Sequence, residues 1–260
     1  MSTLVSFHAH PDDEAIACGG VMAQASAEGH RVVVVFGTGG EFGEVADGFL
    51  APGETLGERR AIETAEAARI LGARRHEFLG YSDSGMMGTP QNEMAGSFWQ
   101  ADIEDAANRL ASILKEESAD VLTIYDAEGT YGHPDHIQVH RVGLRAAEMA
   151  GTPRVLESVV NKDELRRQMD AIVAAGETPP IGGPEIEQLG ISEALITHAI
   201  DVRAFLDVKR RAMAAHASQI PEDSFFLTMP PPIFEQAFGT EYFVECGAAP
   251  PETFDSDLGL

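Results

Sequence analysis

Residues 4–20 read LVSFHAHPDDEAIACGG, and this stretch decides how the chain is built. Leu4-Val5-Ser6-Phe7 has the apolar, β-type composition of a short strand, and a helical apolar pattern begins near Glu14. Between the two runs His8, His10, Asp12, Asp13 and Glu14 crowd together. They sit on the turn at a strand's carboxyl end, the edge at which open α/β sheets bind ligands. His10 and Asp13, three positions apart, can bend onto one ion, because imidazole nitrogen and carboxylate oxygen both bind Zn²⁺ at ~2.0–2.2 Å. Asp12, between them, stays free for other chemistry. Aspartate also caps helices; capping would account for Asp12 or Asp13 but leaves His8, His10 and Glu14 unexplained.

Outward from this stretch, strand and helix patterns alternate. The first helical pattern runs to Glu28-Gly29, and Arg31-Val32-Val33-Val34-Val35-Phe36 is a β-branched run of the kind buried in parallel sheets. The loop from Gly37 to Gly43 lacks the GxGxxG spacing of a phosphate loop, which argues against nucleotide binding there. Ile62, Ala65 and Leu71, with Gly72 as a stop, predict a helix over 54–71. Arg60 and Glu63 share a face on it, and the plain alternative to a role in a site is an exposed ion pair of little energetic consequence. His76 to Leu79 reads as the next strand, and the loop Gly80-Tyr81-Ser82-Asp83-Ser84-Gly85 offers Asp83 as a second candidate site carboxylate. Residues 85–99 show no period, as in a pocket wall or a mobile loop. A helix over 100–117 and a strand over 119–125 follow. This β-α order predicts an α/β fold, a mostly parallel Rossmann-like sheet flanked by helices and joined by right-handed crossovers.

The strand ending at Tyr125 leads into Tyr131-Gly132-His133-Pro134-Asp135-His136, with His140 one helical turn on. Pro134 suits the first turn of a helix running to Met149, so this second cluster also opens a helix after a strand. One histidine from it, added to His10 and Asp13, makes three protein ligands, the number that catalytic zinc keeps while leaving a position for water. His136 and His140, at i and i+4, could also chelate together.

With 42 acidic against 18 basic side chains the net charge is −24, which disfavours nucleic acid and anionic membrane surfaces as partners. The chain has no apolar run of ~18 residues and its first residues carry no signal-peptide pattern, so a soluble, cytoplasmic protein without membrane insertion is expected. Cys18 and Cys246 form no CxxC pair, and Cys18 reads as a packing residue. A chain of 260 residues suits one large α/β domain with insertions. The sequence leaves open whether it self-associates into a homo-oligomer.

AHPDDE at residues 9–14 and YGHPDH at 131–136 carry a resemblance, with CGG at 18–20, the Arg60-x-x-Glu63 pattern ahead of Leu71-Gly72, and residues 80–86 as further matches. In these motifs and in their order the chain resembles the LmbE-like, or PIG-L, family of zinc-dependent N-acetylglucosaminyl deacetylases. That family includes enzymes of phosphatidylinositol-glycan, mycothiol and bacillithiol biosynthesis and the mycothiol S-conjugate amidases. The motifs lie in the first 150 residues; beyond them Lys209 and His216-Ala217-Ser218-Gln219 resemble a late helix of bacterial members. The resemblance implies that His10, Asp13 and His136 bind Zn²⁺, with Fe²⁺ as the alternative metal, and that Asp12 is general base. It implies that His133, oriented by Asp135, protonates the departing amine or stabilises the charged intermediate, that Tyr131 helps hold the oxyanion, and that Arg60 and Asp83 grip sugar hydroxyls.

The expected function is hydrolysis of a linear amide, most simply removal of an N-acetyl group from a small-molecule amino sugar such as an N-acetylglucosaminide. Cleavage of a larger thiol-sugar conjugate, as by an S-conjugate amidase, is the alternative. A non-catalytic metal or glycan-binding protein is the alternative of another class, and retention of Asp12 and His133 speaks against it. A single domain spans residues 1–260, with a metal-binding core over 1–150 and a less regular C-terminal part over 151–260 that completes sheet and pocket. In that part 155–160, 197–202 and 241–245 read as strands, the last at an edge, and 163–175 and 202–217 as helices. Residues 176–190 read as a lid or linker, Pro230-Pro231-Pro232 as the start of a closing loop or an element's end, and the tail after Ala249 as disordered.

Overall fold

The computed structural model describes residues 1–174, 176, 178, 186, 187 and 189–260; the predicted lid or linker over 176–190 thus lies largely outside the described residues. The strands are β1 (Thr3–His8), β2 (Arg31–Thr38), β3 (Arg75–Tyr81), β4 (Val121–Tyr125), β5 (Arg154–Val159), β6 (His198–Asp201) and β7 (Thr240–Glu245). They form one seven-stranded sheet in the order β3-β2-β1-β4-β5-β7-β6. The first five run parallel, and β7 is antiparallel to both its neighbours. Helices α1 (Asp13–Ala17), α2 (Gly19–Ala27), α3 (Leu56–Leu71), α4 (Ile103–Glu117), α5 (Gly129–Gly132), α6 (Pro134–Ala150), α7 (Lys162–Ala174) and α8 (Leu206–Ala215) connect or cover them.

The unbroken apolar run of β2 is explained by burial on both faces. Val32, Val34 and Phe36 pack with Ala67 and Leu71 of α3, while Val33 and Val35 pack with Leu110 of α4 and Val139 of α6 on the other side. From β1 the chain steps outward through β2 and β3, then returns to the opposite side of β1 to lay down β4 and β5. Strand order therefore reverses between β1 and β4, the point at which open α/β sheets place their ligand crevice. Both ionic clusters follow these two strands. Among the described residues no helix is long and apolar enough to cross a membrane.

Four sequence expectations change. The helix after the first cluster is interrupted at Cys18 and restarts at Gly19. The break leaves the Gly20 and Val21 amides unpaired within the helix, and they donate to the carboxylate of Glu241 at 2.8 and 2.9 Å. Only glycine fits at position 20, since a Cβ there would come within 2.5 Å of Val202. Strand β7, expected at an edge, is internal and β6 takes the edge, and Glu241 of β7 is buried against Lys209. The tail is docked: Ala199 donates to the Asp255 carbonyl at 2.9 Å and Leu258 is buried in the core. Arg60 and Glu63 do not form an exposed pair; both are buried, and Glu63 accepts from the Ser218 amide and hydroxyl. Pro231 opens a short helix, Pro231–Phe238.

The Lys209–Glu241 pair, 1% and 4% exposed, ties α8 and β7 to the start of α2. Removing one partner of a buried pair strands the other charge, and here also two helix amides. Glu241→Ala should therefore lower unfolding stability by about 3–5 kcal/mol, read by urea denaturation; a loss under about 1 kcal/mol would mean that solvent reaches Lys209.

Candidate active site

The turn after β1 and the start of α6 bring His10, Asp13, His133, Asp135 and His136 together, although more than a hundred residues separate the clusters. The His10 ring is fixed from one side: its Nε2 lies 3.1 Å from Asp135 Oδ2 and 3.6 Å from Asp83 Oδ1. Asp135 is fully buried, and its carboxylate also accepts from the amide and hydroxyl of Ser84. The sequence reading had Asp135 orient His133, whereas its carboxylate orients His10. Its link to His133 is the backbone amide, which donates to His133 Nδ1 at 3.1 Å and so places the proton of the neutral ring on Nε2.

With Nε2 engaged, His10 presents Nδ1 to Asp13 Oδ2 at 3.5 Å, and His136 presents Nε2 to the same oxygen at 3.4 Å. Two ligands each ~2.1 Å from a tetrahedral ion stand ~3.4 Å apart, so this spacing fits atoms that share a metal. A histidine ligand whose far nitrogen bonds a carboxylate is the usual supporting arrangement at such centres. Ring nitrogens of His10, His133 and His136 also lie within 4.8 Å of one another, as do donor atoms of His10, Asp83, His133 and Asp135. The donor set thus fits a divalent cation.

The charges of His136 and Asp13 point the same way. Burial lowers His136 to about 3, only partly offset by Asp13, so the imidazole is neutral and able to ligate. Burial opposes the Asp13 carboxylate, yet His136 and His10 overcome it and hold the group far below the usual range. Burial likewise depresses His10, but hydrogen bonds to Asp13, Asp135 and Asp83 prevail and raise it. His136 is stacked on Tyr125, with ring centroids 4.4 Å apart.

Asp12 precedes α1 at its N-cap position, but its side chain makes no capping hydrogen bond. The carboxylate is therefore not spent on capping. Burial pushes it up to about 6 against the opposing charge of Arg60. Arg60 reaches Asp12 Oδ2 at 3.3 Å, Gly40 O at 2.9 Å and the Pro11 carbonyl. These bonds hold Arg60 to the turn that carries Asp12 and to the loop after β2, and Arg60 also lines the cavity over the site. Asp83 accepts from the amides of Gly85 and Phe42 at 2.8 and 3.2 Å while facing His10.

A cavity of about 400 Å³ opens over these groups, lined by Asp12, Asp13, Asp83, Tyr131 and His133 among others. Tyr131 is 48% exposed at its mouth, and its hydroxyl lies 3.3 Å from His136 Nε2. The preceding Thr130 holds φ 66° and ψ −55°, so the loop presenting Tyr131 is strained. His140 is directed away, to Tyr125 O at 3.1 Å and Glu157 at 3.2 Å, and His8 bonds Ser6 and Tyr125. Sequence reasoning missed Ser84 as the partner of Asp135 and His216 as the partner of Glu14. The matched residues 80–86 and the run 216–219 were the available signals.

The family model PIG-L, described as GlcNAc-PI de-N-acetylase, matches residues 5–147. A 1D-myo-inositol 2-acetamido-2-deoxy-alpha-D-glucopyranoside deacetylase of Acidothermus cellulolyticus is 41% identical, over 93% of this chain and 88% of that protein. The N,N'-diacetylchitobiose deacetylase of Pyrococcus horikoshii superposes with a TM-score of 0.60 at 22% identity, over 97% of this chain and 88% of that one. GalB, the 4-carboxy-2-hydroxymuconate hydratase of Pseudomonas putida KT2440, superposes with a TM-score of 0.59 at 18% identity, over 98% of this chain and all of that one. A deacetylase and a hydratase on one fold show that fold alone does not name the reaction. The family match over residues 5–147 and the 41% identity across nearly the whole chain do: this protein belongs to the PIG-L family of de-N-acetylases.

Proposed function

We propose that this chain removes the acetyl group from an N-acetylglucosaminide, with 1D-myo-inositol 2-acetamido-2-deoxy-alpha-D-glucopyranoside, named for its 41% identical relative, as the first substrate to try. The observation that carries the reading is the convergence of His10 Nδ1 and His136 Nε2 on one Asp13 oxygen, with Asp12 and His133 lining the same cavity. His10, Asp13 and His136 would hold Zn²⁺, or Fe²⁺ in its place. Such an ion lowers the pKa of bound water from ~15.7 toward ~7 and polarises an amide carbonyl. Asp12 then takes the proton of the attacking water, and its raised affinity for protons suits a general base. The neutral His133 ring, its proton on the nitrogen away from the Asp135 amide, donates that N–H as a hydrogen bond to the charged intermediate, and the proton that Asp12 has taken passes to the departing amine. Tyr131 donates its hydroxyl to the developing oxyanion, and Asp135 acts by fixing His10. Residues 1–260 work as one domain, the metal-binding core over 1–150 completed by 151–260. The free cysteines Cys18 and Cys246 fit a reducing cytoplasm.

Asp83 and Arg60 are the residues we assign to sugar hydroxyls, since both line the cavity, Asp83 as a buried acceptor and Arg60 as a buried donor. Losing a hydrogen bond to a charged group costs about 1.5–3 kcal/mol. Asp83→Ala should raise KM about 10-fold or more with a smaller change in kcat, and an unchanged KM would remove Asp83 from the sugar site. Phe42 and Met86 at the rim, 42% and 50% exposed, are the feature that suits a larger thiol-sugar conjugate. Both readings are tested by one panel: the inositol glucosaminide, free N-acetylglucosamine and a thiol-sugar amide, assayed for released amine. The proposal expects release from the inositol glucosaminide, and release from the thiol-sugar amide alone would favour the amidase. Metal-loaded protein that releases amine from none of them would overturn both.

A further inference from the structure

Asp12 adopts φ 104° and ψ −33°, a conformation that a non-glycine residue keeps only when its surroundings over-determine it. Its amide donates to Glu14 Oε2 at 2.9 Å. The other oxygen of that carboxylate, Oε1, lies 2.7 Å from His216 Nε2, and Glu14 and His216 are both fully buried. His216 belongs to the turn after α8, which is itself clamped: Ser218 donates to Glu63, and Gln219 contacts Arg60 and the Glu44 carbonyl. A segment more than two hundred residues away thus holds the peptide of the residue that faces the metal site.

Neither Glu14 nor His216 lines the cavity, so neither can touch a substrate there. A buried carboxylate–imidazole pair could serve stability alone, but such a pair needs only one carboxylate oxygen. Here the second oxygen takes the amide at the start of α1, a task that a capping side chain at a helix start commonly shares. Because Glu14 satisfies that amide, Asp12 keeps its own carboxylate uncommitted as an N-cap. We propose that Glu14, pinned by His216, is a positioning residue: it holds the Asp12 peptide in its left-handed turn and so aims the Asp12 carboxylate at the reacting water.

The kinetic consequence rests on the deacetylase reading, whereas the geometric one does not, and the test has an arm for each. In crystals of Glu14→Asp, whose carboxylate is one methylene too short to reach both partners, the Asp12 peptide should leave φ near 104°. An unchanged Asp12 turn would overturn the proposal, whatever the protein hydrolyses. On the glucosaminide that wild type turns over, Glu14→Ala should keep its metal and its KM while kcat falls ~10–10²-fold, the cost of a small misplacement. Glu14→Gln, whose amide oxygen can accept the same N–H, should recover most of that loss. In an Asp12→Ala background Glu14→Ala should add nothing, because it acts through Asp12. A folded, metal-loaded Glu14→Ala with wild-type kcat, or an undiminished further loss in the Asp12→Ala background, would contradict the assignment. Should Glu14→Ala fail to fold, the same measurements on Glu14→Asp decide it. A wild type that deacetylates nothing would sink the deacetylase reading and leave the crystallographic arm to judge the positioning.

Discussion

Asp12→Ala will keep its metal and lose turnover by ~10²-fold or more, the contribution usual for a positioned acid or base. The two effects separate because Asp12 is no part of the converging donors: His10 Nδ1 and His136 Nε2 meet Asp13, while Asp12 points to Arg60 and the cavity. Truncation removes the carboxylate yet leaves the turn's other contacts, the Arg60 bond to the Pro11 carbonyl and the Glu14 bond to the Asp12 amide. Arg60 loses its ion-pair partner but keeps the Pro11 and Gly40 carbonyls, so the variant should fold. Metal content by elemental analysis and kcat on the same preparation are the readouts. Normal turnover would take Asp12 out of the mechanism; loss of metal would place it among the ligands.

The second large effect concerns His136. His136→Ala should lose most of its divalent ion, from about one per chain, and with it all measurable activity. The ring is buried, neutral and held by stacking on Tyr125, so its Nε2 is a ligand already in place. His140 cannot take over without leaving its bonds to Tyr125 and Glu157 on the far side of the helix start. His140→Ala should accordingly keep the ion. Retention in His136→Ala together with loss in His140→Ala would reverse the assignment. Retention in both would shift the ion toward His10, Asp83, His133 and Asp135, the other group of donors within reach of one another.

These two outcomes depend on residues that were legible in the chain before any coordinates. His10, Asp13 and a histidine of the second cluster stood out because each cluster followed a strand pattern and opened a helix, which puts side chains at the ligand-binding edge of a parallel sheet, and the family resemblance singled out His136. The alternation of patterns likewise foretold β1 to β5 and the helices between them. What escaped was set by partners distant in sequence. Periodicity reports which side of an element is buried, not what lies opposite. Residues 241–245 therefore read as an edge strand, although the strand is internal and Glu241 is buried against Lys209 and the amides of Gly20 and Val21. The same carboxylate explains the helix break at Cys18, which no local pattern announces.

Within the site, the direction of Arg60 and the partner of Asp135 were hidden for a similar reason. Both side chains have several donors or acceptors and several neighbours that could use them. Arg60 turns to the Pro11 carbonyl of the turn bearing Asp12 and to the Gly40 carbonyl of the loop after β2. Asp135 turns to His10 because its own amide is already engaged with His133, whose ring caps α6. Residue type and order were enough to locate the chemistry, while the division of labour among its carboxylates needed the fold.

Acetate release from the inositol N-acetylglucosaminide, followed as metal-free protein is titrated with Zn²⁺, tests the account most directly. The account predicts no release from the stripped protein, a rise in rate with added ion, and a plateau at about one ion per chain. Full activity in the stripped protein, or no acetate at any stoichiometry while the ion is bound, would contradict it.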